Sequence, residues 1–145
     1  MSAGCVFCSI IAGDVPAFVV HDDESAIAFL DTRPIFFGHT LVAPKRHVVT
    51  LPELPPDQIG PFFARVQLVA AAVPIAMEAE GTFVAQNNVV SQSVPHLHVH
   101  VVPRKKKDGL KGFFWPRRKY DDDEQARETA ARIRDAISRR SASRA

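Results

Sequence analysis

The sequence predicts an α+β domain with a mainly antiparallel five-stranded sheet, one main helix and a C-terminal helix. Five short segments rich in apolar and β-branched residues are separated by acidic, glycine- or proline-containing turns, which is typical of strands. A longer segment rich in alanine, valine and phenylalanine lies between the third and fourth of them. Hairpin-like strands with one long helix between them favour a mainly antiparallel sheet. The 145 residues are enough for one domain with a real hydrophobic core.

The predicted strands are residues 17–21, 25–31, 40–44, 82–87 and 96–102. The main helix is predicted over 56–80, with Asp57 favourable near its start and Gly81 as its stop. Pro74 in the interior should kink or break this helix. A short helical turn is predicted over 9–13, and a C-terminal helix from 121 has acidic residues at its front and arginines at its rear. Its apolar stripe is narrow, which predicts a surface helix: Ala126, Ala130, Ile133 and Ile137.

We expect one domain over residues 1–140, with a basic and aromatic insert at 104–120, the C-terminal helix at 121–140 and a flexible tail at 141–145. The net charge of +2 and the pI of 8.7 are too weak to predict a nucleic-acid partner. No apolar run approaches the roughly 18–20 residues that span a bilayer. Because the N-terminus also lacks a basic head and a long apolar stretch, we expect a cytoplasmic protein and no membrane partner.

The two cysteines form a Cys-x-x-Cys pair at Cys5 and Cys8. A structural disulfide is not expected in a reducing compartment, so the pair indicates half a zinc site, a redox pair or two incidental thiols. A redox motif of the thioredoxin type should follow a strand and open a long helix. No strand precedes this pair, which favours zinc.

Three of the six histidines alternate along the last predicted strand, at His96, His98 and His100. Alternation places them on one face, with Leu97, Val99 and Val101 facing the core. A half-exposed polar strand face is one interpretation and a three-histidine zinc site is another. Same-face neighbours lie roughly 6.5–7 Å apart, so three imidazoles on one straight strand converge poorly on a single metal. An arrangement in which one end of the triad is a metal ligand and the other histidines are catalytic fits this spacing better.

HLHVHVV at 96–102 has the pattern H-φ-H-φ-H-φ-φ of the histidine triad (HIT) superfamily of nucleotide hydrolases and transferases, and the chain resembles that family well beyond these residues. CVFCSIIAGDVP at 5–16 is similar to the N-terminal CxFCxIIxGxxP of its bacterial zinc-containing members. AFLD at 28–31, GHTLVAPKRH at 38–47 and QSVPH at 92–96 resemble further family blocks in order and spacing. The resemblance covers about residues 5–104 and implies a HIT-like fold.

The resemblance implies a structural zinc ion, one per chain, held by Cys5, Cys8, His47 and His96. Two thiolates and two imidazoles would give a closed tetrahedral site with no open position for water. Taken alone, His47 is more simply a surface histidine after two basic residues.

For catalysis, the resemblance implies that His98 is the nucleophile at the α-phosphorus of a purine nucleotide. His100 would then donate to a non-bridging phosphate oxygen, Ser93 would relay a proton to the leaving group, and Gln92 would assist. A neutral imidazole is required, with its other nitrogen held by a hydrogen bond that fixes the tautomer.

Nucleotide contacts follow from the same resemblance. Asp31 would accept hydrogen bonds from both ribose hydroxyls, although it also suits a strand-end turn. Phe7, Ile10 and Phe29 would form an apolar slot for the base, or simply belong to the core. His39 corresponds to a fourth histidine beside the site, which could instead only pack at the start of its strand.

The stretch before the triad departs from the family. The family usually has glycines around the phosphate, whereas residues 87–93 read NNVVSQS. Valine does not readily adopt the positive φ that glycine permits, so we expect this loop to run differently. Either Asn87 or Asn88 would supply the phosphate contact.

The resemblance implies an enzyme, a purine nucleoside phosphoramidase of the Hint type that forms a homodimer with its sheets joined edge to edge. The stretch VVPRKKKDG at 101–109 also resembles dinucleoside polyphosphate hydrolases of the Fhit type. A nucleotide-binding regulatory module with vestigial catalysis is a third hypothesis, and the intact triad argues against it. The basic insert at 104–120 is either a solvated loop with an aromatic anchor or a cationic lip of the site.

Overall fold

The structure, a computed structural model, describes residues 4–110 and 118–144. Two units divide the chain, Met1–Asp108 and Gly109–Ala145, and each is considered by itself. In the first unit the elements follow in the order α1 (Val6–Ala12), β1 (Val19–Asp22), β2 (Ala26–Leu30), β3 (Thr40–Pro44), a 3₁₀ turn (Leu51–Glu53), α2 (Pro56–Ala76), β4 (Gly81–Ala85) and β5 (Val99–Arg104).

The strands form one five-stranded sheet in the order β1-β2-β3-β5-β4, and every neighbouring pair is antiparallel. The predicted fold class is confirmed. β5 lies between β3 and β4, so His100 is opposite Leu41 on one side and Ala85 on the other. The register therefore places the end of the histidine segment in the interior of the sheet.

Two apolar clusters cover the two faces of the sheet. On one face, α2 packs Phe62, Val66, Val69 and Val73 against strand residues that include Val42, Val99 and Val101. On the other face, Phe7 and Cys8 of α1 contact a cluster with Ile27, Phe29 and Leu41. Because successive strand residues alternate between faces, β2, β3 and β5 are buried on both sides.

The second unit contains α3, Asp123–Ser143. Asp122 caps it through its carboxylate, which accepts a hydrogen bond from the Gln125 amide at 2.8 Å. No described residue of α3 is buried, and the helix extends three residues past the predicted end at 140. Residues 111–117 of the insert, which include Phe113, Phe114 and Trp115, lie outside the described residues. The division into one domain, an insert and a tail stays a prediction.

The main helix differs from its predicted bounds. It is continuous through Pro74 and ends at Ala76, rather than being broken at the proline or continuing to residue 80. Pro74 lies in the last turn, where the missing N–H removes one backbone hydrogen bond just before the helix would end. Met77 and Ala79 then donate to the carbonyls of Val73 and Pro74, at 3.0 and 2.8 Å. Gly81 is the first residue of β4 and not the stop.

The boundaries of α1 and β5 also differ from the predicted ones. α1 begins at Val6 because Cys5 caps it, its sulfur accepting a hydrogen bond from the Cys8 amide at 3.4 Å. β5 begins at Val99, so His96 lies in a bend before the strand and His98 directly precedes it. The pattern of alternation continues through them, since Leu97 joins Val99 and Val101 in the cluster beneath α2.

α2 has the length and hydropathy of a membrane span, with a mean hydropathy of 1.6, contrary to the expectation that no segment would. Its composition is also that of a core helix. Phe62 and Val66 are 1% and 4% exposed against the sheet, and Arg65 pairs with Asp23. One helix of this kind is weak support for a membrane protein, and one face of α2 is packed against the sheet through Phe62, Val66, Val69 and Val73.

Gly38 precedes β3 in a conformation that only glycine adopts freely. Its φ is +96°, and an added Cβ would lie 2.5 Å from Cγ of Met77. We expect Gly38→Ala to lower the free energy of unfolding by about 1–2 kcal/mol, because it adds backbone strain and displaces Met77. Urea unfolding measures this change.

Gly60 is the matched control. It lies within α2 and has no atom within 4 Å of an added Cβ, so Gly60→Ala should raise stability by about 0.5–1 kcal/mol. Equal stability of Gly38→Ala and the wild-type protein would contradict the strain assigned to Gly38.

Candidate active site and metal cluster

The histidine segment lies between the two apolar layers. Leu97, Val99 and Val101 point toward α2, and the histidines lie on the side covered by α1. The Phe7 ring centroid is 5.1 Å from that of His98 and 5.8 Å from that of His96. His96 and His98 are only 0% and 5% exposed. The segment is therefore not the half-exposed polar strand face that one interpretation of the sequence allowed.

His98 has one ring nitrogen engaged and one available. Its Nδ1 lies 2.7 Å from the carbonyl oxygen of His96. A carbonyl only accepts, so Nδ1 carries the proton and donates it. In the neutral imidazole, Nε2 then keeps its lone pair. Because His98 also lines a cavity together with His100, the arrangement meets the requirement for an imidazole nucleophile.

His100 is held by His39. The backbone amide of Ile35 donates to Nδ1 of His39 at 3.1 Å, so Nε2 of neutral His39 carries the proton. That Nε2 lies 2.9 Å from Nδ1 of His100 and donates to it. His100 then carries its proton on Nε2, where it can donate to an anion. His39 is 2% exposed and does not line the cavity, so it acts through His100.

Burial keeps these imidazoles neutral. The pKa of His100 is lowered to about 4, mainly by desolvation and also by His98 and His39, while Asp31 opposes the shift. Burial also lowers the pKa of His39, again against Asp31. At neutral pH, His100 is therefore a neutral hydrogen-bond donor. Asp31, His39 and His100 lie close enough to form a metal cluster, but the proton on His39 Nε2 points into it and disfavours a cation there.

The cavity in front of His98 and His100 has a volume of about 460 Å³. All three residues predicted for the base slot line it, namely Phe7, Ile10 and Phe29. The rings of Phe7 and Phe29 meet edge to face with centroids 5.1 Å apart. An apolar recess next to the triad is suited to a flat base.

Asp31 and Ser93 also line this cavity. One carboxylate oxygen of Asp31 accepts the Arg33 amide at 2.8 Å, and the other lies 3.7 Å from Nε2 of His39. Sequence reasoning missed Arg33 and Val94, which share the cavity wall. The sequence held a signal for Arg33, because it follows Asp31, the residue that the family resemblance assigns to the ribose, by two positions.

Gln92, Asn87 and Asn88 do not line the cavity, because their side chains bind within the loop and to the segment before α2. Gln92 donates from Nε2 to the Val49 carbonyl at 2.6 Å, and its Oε1 accepts the Val89 amide at 3.0 Å. Asn88 accepts the Leu51 amide at 2.9 Å through Oδ1, and Asn87 donates to the Ser91 carbonyl at 3.1 Å. These amides fix the loop.

The loop contradicts the expectation that valine would exclude left-handed conformations. Val89 has φ of 70° and Ser91 has φ of 61°. A left-handed β-branched residue costs about 1–2 kcal/mol. The side-chain hydrogen bonds of Gln92 and Asn87 span these two residues and offset that cost. The loop therefore adopts left-handed conformations at Val89 and Ser91 without the family's glycines.

The four predicted zinc ligands form one cluster, in which all the ligand atoms lie within 4.8 Å of one another. Nδ1 of His47 is 3.2 Å from Nδ1 of His96 and 3.3 Å from Sγ of Cys8. Nδ1 of His96 is 3.5 Å from Sγ of Cys5 and 3.7 Å from Sγ of Cys8. Tetrahedral zinc predicts nitrogen–nitrogen and nitrogen–sulfur edges of about 3.4 and 3.6 Å.

His96 also has the tautomer that a metal ligand needs. His96 donates from Nε2 to the Pro44 carbonyl at 2.9 Å, which leaves the Nδ1 lone pair facing the cluster. Burial raises the pKa of the Cys5 thiol, so a cation is the group that would stabilise its thiolate. The residues present fit a closed structural zinc site and could hold the ion.

We expect the neutral His100 tautomer to persist far below the usual titration range. In ¹⁵N-edited NMR of histidine-labelled protein, the His100 ring should stay neutral at pH 6 with its proton on Nε2, and it should become charged only near pH 4. After unfolding in urea, the same ring should titrate near 6.5. Because the folded pKa is the lower one, the stability it contributes is present above pH 6.5 and is lost as the pH falls toward 4. Titration of folded His100 near pH 6.5 would contradict the burial argument.

Comparison with known proteins agrees with the fold and the motifs. A family model described as HIT domain matches residues 12–107. The uncharacterized HIT-like protein Rv1262c of Mycobacterium tuberculosis is 39% identical over 143 residues, which cover 95% of this chain and 96% of that protein. Adenosine 5'-monophosphoramidase HNT1 of Candida albicans is 33% identical over 127 residues, covering 83% and 84%.

Solved structures agree as well. SMU.412c from Streptococcus mutans superposes with a TM-score of 0.87 and 37% identity over 94% of this chain and 87% of that one. A Zn-bound histidine triad family protein from Mycobacterium smegmatis has a TM-score of 0.70 and 38% identity over 93% and 96%. The shared sheet, the triad and the match to the domain model over most of the chain show that this protein belongs to the HIT family.

Proposed function

We propose that this HIT protein is a nucleotide hydrolase that acts at the α-phosphorus of purine nucleotides, most specifically a purine nucleoside phosphoramidase. The observation that carries the proposal is the state of His98. Nδ1 of His98 donates a hydrogen bond to the His96 carbonyl. The His98 side chain is buried and lines a cavity with an apolar recess and the carboxylate of Asp31. With Nδ1 fixed as the hydrogen-bond donor, neutral His98 has its lone pair on Nε2, the atom that must attack.

In the first step, Nε2 of His98 attacks the α-phosphorus of a nucleoside 5'-phosphoramidate and forms a nitrogen–phosphorus bond. The bond from phosphorus to the leaving nitrogen breaks, and its electron pair stays on that nitrogen. Ser93 relays a proton to the departing amine. His100 donates from Nε2 to a non-bridging oxygen, where negative charge grows in the transition state.

In the second step, water attacks the nucleotidyl-histidine, releases the nucleoside monophosphate and restores His98. The sum of the two steps is the phosphoramidate plus water giving the monophosphate plus the amine. Asp31 binds the ribose hydroxyls at one end of the cavity, and Phe7, Ile10 and Phe29 enclose the base. Gln92, Asn87 and Asn88 support the phosphate end by fixing the loop before Ser93.

We prefer a nucleoside phosphoramidate over a dinucleoside polyphosphate as the substrate for two reasons. A relative with 33% identity over 83% of this chain is named an adenosine 5'-monophosphoramidase. Lys105, Lys106 and Lys107 of the cationic insert do not line the cavity that holds His98, so they add no support for a dinucleoside polyphosphate. A regulatory module without catalysis would need no nucleophile held in this geometry.

We further infer that Cys5, Cys8, His47 and His96 hold one zinc ion with a structural role. The ligand spacing and the Pro44 hydrogen bond support it, as does the Zn-bound family structure. When bound, zinc would join α1 to the ends of the segments that carry His47 and His96. It would leave catalysis to His98 and His100.

Homodimerisation and a cytoplasmic location complete the proposal. β1 and β4 are the edge strands of the sheet, and Val84 of β4 is 44% exposed, which suits the edge-to-edge pairing that the family resemblance implies. Both cysteines are free thiols, which fits a reducing compartment.

Replacing the nucleophile tests the reaction. We expect His98→Ala to lower turnover of adenosine 5'-phosphoramidate by about 10⁴-fold or more, because the covalent route is lost. Wild-type protein, quenched with substrate in excess, should carry a nucleotide on His98 that mass spectrometry detects. A diadenosine polyphosphate assayed in parallel tests the alternative substrate.

His21→Gln is the control, since His21 pairs with Asp23 and does not line the active-site cavity. It should retain turnover. Nucleotide binding without turnover of either substrate would favour the regulatory module. Substantial activity in His98→Ala would contradict the assignment of the nucleophile.

Removing one ligand tests the metal. Cys5→Ser should lower the zinc content and the melting temperature. At a free zinc concentration of 1,000 times the Kd, binding adds about 4 kcal/mol to the free energy of unfolding. This corresponds to a change of roughly 10 °C in the melting temperature of a chain of this size. Metal analysis and thermal unfolding measure the two effects. Ser9→Ala, next to the cluster on α1, should change neither by as much. Wild-type protein that purifies without metal and is indifferent to chelator would contradict the zinc site.

A further inference from the structure

The two cysteines of the metal cluster differ in their access to solvent. Cys5 lines a cavity of about 390 Å³, which we call the side cavity, together with His47 and Val49. Cys8 lines neither the side cavity nor the cavity in front of His98, and it is only 3% exposed. A small molecule that enters the side cavity therefore reaches Cys5 and does not reach Cys8.

The wall of the side cavity is suited to a small uncharged molecule. None of its eight lining residues is lysine, arginine, aspartate or glutamate, so an uncharged solute enters without displacing water from a charged group. The volume is many times the roughly 30 Å³ that one water molecule takes up in the liquid. Hydrogen peroxide, which is uncharged and only slightly larger than water, meets both conditions.

The sulfur of Cys5 lies over the turn that carries Cys8. Cys5 caps α1, and its sulfur accepts a hydrogen bond from the Cys8 amide at 3.4 Å. The two sulfurs belong to the cluster whose ligand atoms all lie within 4.8 Å of one another. Residues three apart at the start of a helix are close neighbours, and a disulfide joins Cα atoms about 4.4–6.8 Å apart. Rotation about the side-chain bonds can therefore bring the sulfurs together without rebuilding α1.

The metal cluster would also hold both sulfurs in their reactive form. Zinc binds cysteine as the thiolate, and the thiolate is the form that attacks a peroxide. A buried cysteine with no such partner is inert by comparison. Access from the side cavity then decides which of the two thiolates reacts first.

We propose that Cys5 and Cys8 form a peroxide-sensitive switch in the metal cluster, in which Cys5 reacts first and Cys8 completes a disulfide that releases the metal. The Cys5 thiolate attacks one peroxide oxygen, so that a sulfur–oxygen bond forms, the oxygen–oxygen bond breaks and hydroxide leaves. The Cys8 thiolate then attacks the Cys5 sulfur, and a second hydroxide leaves. In sum, two thiolates and hydrogen peroxide give one disulfide and two hydroxide ions, and two electrons pass from sulfur to oxygen.

The disulfide would disconnect α1 from the histidine segment. Only His47 and His96 would remain as ligands, and the tie from α1 through the metal would be lost. α1 carries Phe7, whose ring centroid is 5.1 Å from those of His98 and Phe29. Oxidation should therefore loosen the base slot and raise KM more than it lowers kcat, an effect on catalysis that rests on the proposed function.

The test treats the zinc-loaded protein with hydrogen peroxide and measures the released metal with the chromogenic chelator 4-(2-pyridylazo)resorcinol. We expect about one zinc ion per chain to be released as mass spectrometry detects a Cys5–Cys8 disulfide. With dimedone present to trap sulfenic acid, the adduct on Cys5 should exceed that on Cys8 by about 10-fold or more. Reduction with a phosphine, followed by addition of zinc, should restore the metal content and KM.

Two variants test the order of the steps. Cys8→Ser should accumulate the dimedone adduct on Cys5 and form no disulfide within the chain. Val49→Phe leaves every metal ligand in place and fills part of the side cavity, so it should slow oxidation of Cys5 by about 10-fold. It keeps the test valid if Cys8→Ser fails to fold. Val19→Phe is the matched control, since Val19 is 48% exposed and does not line the side cavity, and it should oxidise at the wild-type rate.

The outcomes separate this switch from the proposed function. Equal adducts on Cys5 and Cys8, zinc release without a disulfide, or the same rate of oxidation in Val49→Phe as in the wild type would overturn the switch. An unchanged KM in the oxidised protein would overturn its link to catalysis. Absence of turnover in the untreated protein would overturn the proposed function and leave the thiol chemistry standing, because mass spectrometry and metal release measure that chemistry directly.

Discussion

The structure depends on one fully buried residue, His96, whose polar atoms must all find partners. Its amide donates to the Val94 carbonyl at 2.8 Å, and its Nε2 donates to the Pro44 carbonyl at 2.9 Å. Its Nδ1 faces the cysteine and His47 cluster, and its carbonyl accepts the proton of His98. An unsatisfied polar atom at this depth would cost several kcal/mol. The metal cluster, the end of β3 and the orientation of His98 are therefore fixed by the same residue.

Burial has a second consequence for the neighbouring imidazoles. With α1 on one side and the sheet beneath, charged forms are poorly solvated, so burial lowers the pKa values of His39, His96 and His100. Hydrogen bonds to backbone groups and to neighbouring imidazoles then determine the tautomers. The Ile35 amide determines which nitrogen of His39 donates, and His39 in turn determines which nitrogen of His100 donates. No described buried side-chain nitrogen or oxygen lacks a partner. The hydrogen bonds of the fold thus determine the tautomers of His39 and His100.

Much of this could be predicted from the sequence, because strand periodicity is insensitive to exact boundaries. The alternation at 96–101 placed the histidines opposite Leu97, Val99 and Val101 correctly, even though β5 begins only at Val99. The four-residue cluster followed from the family resemblance and from ligand types that prefer one metal. Features that depend on particular hydrogen bonds within a loop or at a helix end could not be predicted. Val89 is left-handed because Gln92 and Asn87 hold it, and no local pattern records those bonds. The end of α2 beyond Pro74 depends likewise on the carbonyls that cap it.

The two ends of the candidate site are built by different parts of the chain. The end proposed to hold the nucleoside is formed by α1 and β2, which lie in the packed layers of the fold and leave little freedom. Ser93 lies at the other end, in a loop that Gln92 ties to the Val49 carbonyl and Asn88 ties to the Leu51 amide. Substitutions in these tied loops can change the wall around Ser93 while the sheet and the His96 hydrogen bonds stay in place. If the proposed function is correct, the selectivity for the leaving group should therefore depend on these loops, and the selectivity for the nucleoside should depend on the packed core.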